Sequence, residues 1–439
     1  MIRQTVLGFK IESTQEQITA HGGLALLAEY HHGIGLRQLA DQHLPAPSSN
    51  RGYAPSAFLE SLVLMLQAGG QSLEDLRELE QESALMKLLG QEIIPDPDTA
   101  GDWLRRMGDP QRGQAGLQGL GQVRDLLNQR ILRHDGIGEY TLDADAMQIE
   151  AEKQEAAFTY QGVKGYMPMS GFLFETPVCL HEEFREGNVA PQAGQLAFYR
   201  ECQRRMPKDK RIAAYRADSA SYQAELINAW ESDRVMWAIT ADQDRAVKEA
   251  ICNIPQAAWN ESTLGCGYEV AETVHTMART DQAFRLIVKR ELRRQVDLFQ
   301  EDRYFYHAVA VASNWPIEQK SAQKVLEWHN QRGQAENFLK ERKGGFGLDR
   351  MPCGQSGAHA VFLRIGVIAY NLFLGFKRLS CPKSWWRHTI ATFRWKLIQI
   401  AGQIVHHAGQ VILKLVLDAE KLRLFRSIRK RCLELAVAT

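Results

Sequence analysis

Between Arg211 and Thr240 the chain reads as strand, helix and strand, and that order leaves little choice of fold. The run Arg211-Ile212-Ala213-Ala214-Tyr215-Arg216-Ala217-Asp218 is a short strand ending in an acid, Ser221 to Glu231 keeps helical spacing, and Val235 to Thr240 is apolar. Two strands joined by a helix pair in parallel, and a parallel sheet needs cover on both faces. Functional groups of such sheets gather at strand ends, which is where Asp218 falls.

The segments around this unit extend the same α/β class. From Gly138, Tyr140-Thr141-Leu142-Asp143-Ala144-Asp145-Ala146 alternates polar and apolar, placing Thr141, Asp143 and Asp145 on one face of a strand. Strands at 171–175 and 177–184 and a helix at 191–205 follow. Residues 243–316 are β-rich, with strands at 269–278, 284–292 and 304–312. From Glu318 a long helix is expected, carrying Trp328, Arg332, Glu336 and Lys340 at i, i+4 spacing. On it His329, Arg332, Glu336 and Lys343 stand at offsets that share one face.

A chain of 439 residues is too long for one hydrophobic core. The expected division is a helical N-terminal domain over 1–135, assigned to DNA binding, and a catalytic core in two parts, 136–242 and 317–375. A β-rich insertion over 243–316 separates those parts, and a basic helical region over 376–439 closes the chain. No internal repeat is present.

The formal net charge is only +1, so any nucleic-acid case rests on where the charges sit. Seven scattered cysteines without a C-x-x-C pair favour neither a disulfide framework nor a zinc module, and fit a reducing cytoplasm. The N-terminal residues lack the apolar run of a signal peptide. Residues 358–376 approach bilayer-spanning length, but His359, Arg364 and Asn371 interrupt them, so a buried helix and no membrane partner are expected.

Cutting or transferring a phosphodiester requires an activated nucleophile and relief of charge on the leaving oxygen, and two divalent ions a few ångströms apart supply both. An acid-only set suits Mg²⁺ better than a His/Cys set would. Asp145 in a strand, Asp218 at a strand end and Glu336 on a helix are the acids whose contexts fit.

The series Gln331-Arg332-Gly333-Gln334-Ala335-Glu336 followed by Lys343 resembles the Tyr-x2-Arg-x3-Glu-x6-Lys signature of bacterial insertion-sequence DDE transposases, with His329 in the Tyr position. Leu142-Asp143-Ala144-Asp145-Ala146-Met147 is similar to the family's first-acid strand, with Met147 where Thr is usual. Asp145 aligns best as the ligand, and Asp143 stays open as the alternative. Tyr215 to Ser219 resembles the second-acid strand, while Val163 to Pro168 and Asp98 to Leu104 look like flanking family segments.

The resemblance spans about residues 95 to 375 and best suits the thirteen-eighty group of insertion sequences. It implies an RNase H-like fold with a β insertion between the second Asp and the Glu. It further implies two Mg²⁺ ions, replaceable by Mn²⁺, held by Asp145, Asp218 and Glu336. The implied activity is cut-and-paste transposition at terminal inverted repeats by an endonuclease that then joins 3′-hydroxyls to target DNA. A dimer or larger assembly on double-stranded DNA, in the bacterial cytoplasm at the nucleoid, goes with it. A nuclease of the same fold without strand transfer and an inactive DNA-binding relic are the alternatives.

Phosphate contacts are expected from His329, Arg332, Lys343 and Lys164. They are expected too from Arg387 and Arg394 in the tail after Phe376, where Trp385, Trp386, Phe393 and Trp395 are interleaved with many lysines and arginines.

Overall fold

The computed structural model describes residues 10–438 except 48, 50, 112 and 296–302. Residues 1–9, on which the expectation about a signal peptide falls, lie outside the described residues. The first part is helical as expected: α1 (Leu24–Gly33), α2 (Leu36–His43), α3 (Pro55–Ala68), α4 (Pro97–Met107) and α5 (Gln114–Arg133). Proline opens α3 and α4 where its missing N–H is harmless, and the Asp96 carboxylate accepts the free N–H groups of Asp98 and Thr99.

Strands β1 (Glu139–Ala146), β2 (Met169–Leu173) and β3 (Cys179–Glu183) follow, then α6 (Gln195–Arg205), β4 (Arg211–Ala217), α7 (Ala224–Ser232) and β5 (Met236–Thr240). Strands β1 to β3 pair antiparallel, while β4 pairs parallel with both β1 and β5. This is the crossover expected from residues 211–240.

After α8 (Arg245–Cys252) come β6 (Tyr268–His275), β7 (Phe284–Gln295) and β8 (Arg303–Ser313). These strands form no separate layer. Val311 to Ser313 of β8 pair antiparallel with Ala238 to Thr240 of β5, so the β-rich segment continues the same nine-stranded sheet. A strand edge left open at β5 is thereby covered.

The central strands of the sheet are covered on both faces. On one side Leu142, Tyr215, Trp230 and Trp237 pack with α6 and α7, and on the other Phe172 and Cys179 join the helical core. At the centre of that core lies α11 (Ser356–Gly375), preceded by α9 (Ala322–Asn330) and α10 (Gly333–Lys340). Helix α11 contacts α3, α4 and α5. The three residues that interrupt its apolar run are paired inside: His359 with Cys353 O and Tyr166, Arg364 with Glu182, and Asn371 with both the N–H and the C=O of Cys179. A long apolar helix is therefore a core element in this fold, as its interrupting residues foretold.

Two expectations need correction. The helix from Glu318 is broken after Asn330, and a π-helical turn at Glu341–Gly345 follows α10. The tail is not wholly helical. Before α12 (Ala419–Ala438) it forms a hairpin, Gly402–His407 with Gln410–Leu415, to which Ile18–Thr19 adds a third strand. The turn residues Ala408 and Gly409 both have positive φ, the backbone a two-residue hairpin turn requires. Moreover, Leu24 to Leu44 of the N-terminal helices and Phe425 to Leu435 of α12 belong to one hydrophobic cluster, so the two ends of the chain share a core.

Candidate active site

Asp145 and Asp143 alternate onto the same face of β1, yet they meet different surroundings. Asp143 is fully buried and forms a two-pronged ion pair with Arg216 of β4, Nε to Oδ1 at 2.7 Å and Nη2 to Oδ2 at 2.8 Å. Burial raises its carboxyl to about 6 against the pull of Arg216. Its oxygens are thus engaged. Asp145 lies at the open end of the strand, 15% exposed.

Asp218 follows β4 directly and accepts the N–H of Ala220 at 3.0 Å, which fixes it at the turn into the next element. Glu336 sits in the first turn of α10, where the helix dipole favours a negative charge, and is half exposed. The three acids share one electrostatic environment. Burial first, then the charges of Asp218 and Glu336, push Asp145 up to about 6, against the lowering effect of Arg332. The Arg332 guanidinium contacts two of the three, at 3.6 Å from Asp145 and 4.0 Å from Glu336.

Among the described residues no three His, Cys, Asp or Glu side chains converge closely enough to hold a metal ion. The donor chemistry nevertheless fits a hard divalent cation: all the atoms are carboxylate oxygens, and the mutual repulsion that raises Asp145 is what such a cation relieves.

The expected phosphate contacts divide. His329 is buried, not on a DNA-facing surface: its Nε2 meets Ala217 O at 3.2 Å and Thr240 Oγ1 at 3.4 Å, and burial lowers it to about 4. Lys343 donates to Gln148 O at 2.7 Å and is half-buried. Arg394 caps the end of α3, donating to Leu66 O, Gln67 O and Gly345 O, so its role is structural. The tightened turn at Gln331 and Arg332 and the π-helical turn at Glu341–Gly345 shift the helical phase between His329 and Lys343, so the single face expected of them is not kept. Lys164 remains partly accessible, and Arg387 is exposed.

Of the tail aromatics, Trp385 and Phe393 pack on each other at 5.0 Å and Trp386 lies against Arg378, leaving Trp395 exposed. Lys421, Arg423, Arg426, Arg429 and Lys430 of α12 face solvent.

Arg216 was not singled out by sequence reasoning. Its signal is a basic residue inside an otherwise apolar strand, where a buried charge demands a partner.

A family model described as "Transposase DDE domain group 1" matches residues 7–436. Seven chains of known structure also match. One is a cryo-EM structure of the piggyBac transposase synaptic complex with hairpin DNA. It is 10% identical with a TM-score of 0.43, over 88% of this chain and 82% of that one. No curated protein matches.

Proposed function

From the premise that the chain belongs to the DDE-domain transposases matched over residues 7–436, we propose that it is a cut-and-paste enzyme of an insertion sequence of the thirteen-eighty group. It would cleave DNA at the element's terminal inverted repeats and join the freed 3′-hydroxyls to target DNA. The observation that carries this reading is the placement of the three acids: Asp145 and Asp218 follow the paired Asp143 and Arg216 by two residues at the ends of parallel β1 and β4, and the Arg332 guanidinium stands 3.6 Å from Asp145 and 4.0 Å from Glu336 on α10.

In this reading Asp145, Asp218 and Glu336 hold two divalent ions, Mg²⁺ or Mn²⁺. Bound there, the ions would activate a water or 3′-hydroxyl and offset charge on the leaving oxygen. Asp145 rather than Asp143 serves as the first ligand, because Asp143 is committed to Arg216. Arg332 balances Asp145 and Glu336 in the absence of substrate, and its planar fork suits a DNA phosphate equally well. The exposed basic face of α12, with Arg387 and Lys164, would contact the DNA backbone, which positions a protein without reading sequence. The N-terminal helices would carry end recognition, and a dimer or larger assembly would bring two ends together in the bacterial cytoplasm.

The test is a joining assay: DNA bearing the element's ends is incubated with Mg²⁺ and a supercoiled target plasmid. Joined products with short target duplications support transposition. Cut ends that never join would return a nuclease, and absence of both would leave a DNA-binding relic.

A further inference from the structure

Arg216 on β4 links β1, the strand of Asp145, to the end of α9, just ahead of the helix that carries Glu336. Its side chain is fully buried between the rings of Phe174, at 4.2 Å, and Trp328, at 5.0 Å. Two of its nitrogens hold Asp143, two residues before Asp145, and the pair are direct neighbours in the β1–β4 register. Arg216 itself lies two residues before Asp218. Its third nitrogen, Nη1, donates to Trp328 O at 2.7 Å, with Gln331 Oε1 at 3.4 Å.

That last bond has a consequence for Glu336. In a continuous helix the N–H of Arg332 would bond Trp328 O. Here it turns to His329 O at 2.9 Å, while the Arg216 guanidinium joins the N–H of Gln331 on Trp328 O, so Arg216 caps α9 where a tightened turn at Gln331 and Arg332 leads into α10. His329, one residue on, meets Ala217 O and ties the same break to the strand end before Asp218.

We propose that Arg216, with Asp143 as its counter-ion, is a positioning residue that holds β1, the end of β4 and the turn into α10 in the relation from which a divalent metal can draw Asp145, Asp218 and Glu336 together, without itself touching metal or DNA. The inference rests on the acid set proposed above. Its chemistry is that of an outer layer around metal ligands, where loss of a partner costs 10- to 100-fold in affinity or activity. A guanidinium fork serves this better than an ammonium because it reaches a carboxylate and a carbonyl in fixed directions at once.

The test uses the full chain carrying Asp143→Met with Arg216→Met. This double change removes both buried charges together, and apolar replacement of a buried pair is often neutral for stability. Arg216→Lys provides a second, more conservative variant. Three quantities are read: Mn²⁺ binding to the protein alone by electron paramagnetic resonance, cleavage rate at saturating DNA, and the DNA concentration for half-maximal rate.

The expected result is Mn²⁺ affinity and saturated rate both reduced about 10- to 100-fold in the double variant, with the half-maximal DNA concentration unchanged and a smaller loss in Arg216→Lys. A merely structural role would lower the folded fraction but leave Mn²⁺ affinity and rate per folded molecule intact. That outcome, in whichever of the two variants folds, overturns the proposal. Wild-type protein that neither binds Mn²⁺ nor cuts would instead remove the acid set itself, and the inference with it.

Discussion

Replacing Glu182 by Gln should be among the most damaging single changes in the chain, although it lies outside the acid cluster. Glu182 is 1% exposed on β3 and accepts from Arg124 of α5 and Arg364 of α11, each at 2.5 Å. Arg124 also holds Asp125, and Arg364 donates to Leu117 O and to the backbone of Glu182. The carboxylate therefore fastens the sheet to two core helices. Burial alone would raise its pKa, but Arg124 and Arg364 outweigh burial and hold it at about 2, against an ordinary 4.5. At ~1.4 kcal/mol per pH unit, that drop corresponds to about 3 kcal/mol, within the ~3–5 kcal/mol expected for breaking a buried pair.

The sign follows from the depressed value: the stabilisation is complete above the unfolded pKa near 4.5 and is lost as pH falls towards 2. The assay is denaturant unfolding of wild type, Glu182→Gln, Arg364→Met and the double variant at pH 7. The singles should each lose roughly 3 kcal/mol and the double less than their sum, because it no longer strands a charge. A Glu182→Gln loss below about 1 kcal/mol, the scale of an exposed pair, or strict additivity would refute the reasoning.

Three further outcomes are expected. Gly108 and Gly357 meet backbone to backbone where α4 ends and α11 begins, and a Cβ on Gly357 would lie 2.0 Å from Gly108 O. Gly357→Ala should therefore lower the melting temperature clearly, and an unchanged melt would show that this junction yields. Asn371→Leu removes the acceptor of the buried Cys179 N–H and should cost about 1–3 kcal/mol, read as a lower denaturation midpoint. Burial holds His31 and His181 at about 3, His329 at about 4 and His359 below its ordinary value, so their stabilisation is full above about 6.5 and is lost as pH falls. Asp143 and Asp145, raised to about 6, oppose this over part of the range. A net loss of about 2–3 kcal/mol between pH 6.5 and 5.5 follows, and a midpoint that holds or rises over that interval would contradict it.

The parallel unit at 211–240 was legible because its periods change cleanly from strand to helix to strand, and the apolar stretch at 358–376 because its few polar residues demanded partners. The three acids were singled out through their contexts. What the sequence left hidden is long-range pairing. Whether Asp143 or Asp145 faces the open end depends on Arg216, 73 residues further on, which claims one of them. The same guanidinium ends α9, so the face drawn through His329, Glu336 and Lys343 depended on a helix that a distant strand interrupts. In the tail, charge drew attention away from the turn at Ala408 and Gly409. Net basicity could not say that Arg394 caps a helix while Arg387 meets solvent.

The acid set is tested most directly by Mg²⁺-dependent cleavage of labelled DNA carrying the element's own ends. Wild type is compared with Asp145→Asn, Asp218→Asn and Glu336→Gln, each verified as folded and DNA-binding. Wild type should cut only with the metal, and each variant should lose at least about 100-fold in rate, roughly 3 kcal/mol of transition-state stabilisation. Any one of the three cutting at the wild-type rate, or cutting that persists in chelator, would contradict the assignment of these carboxylates.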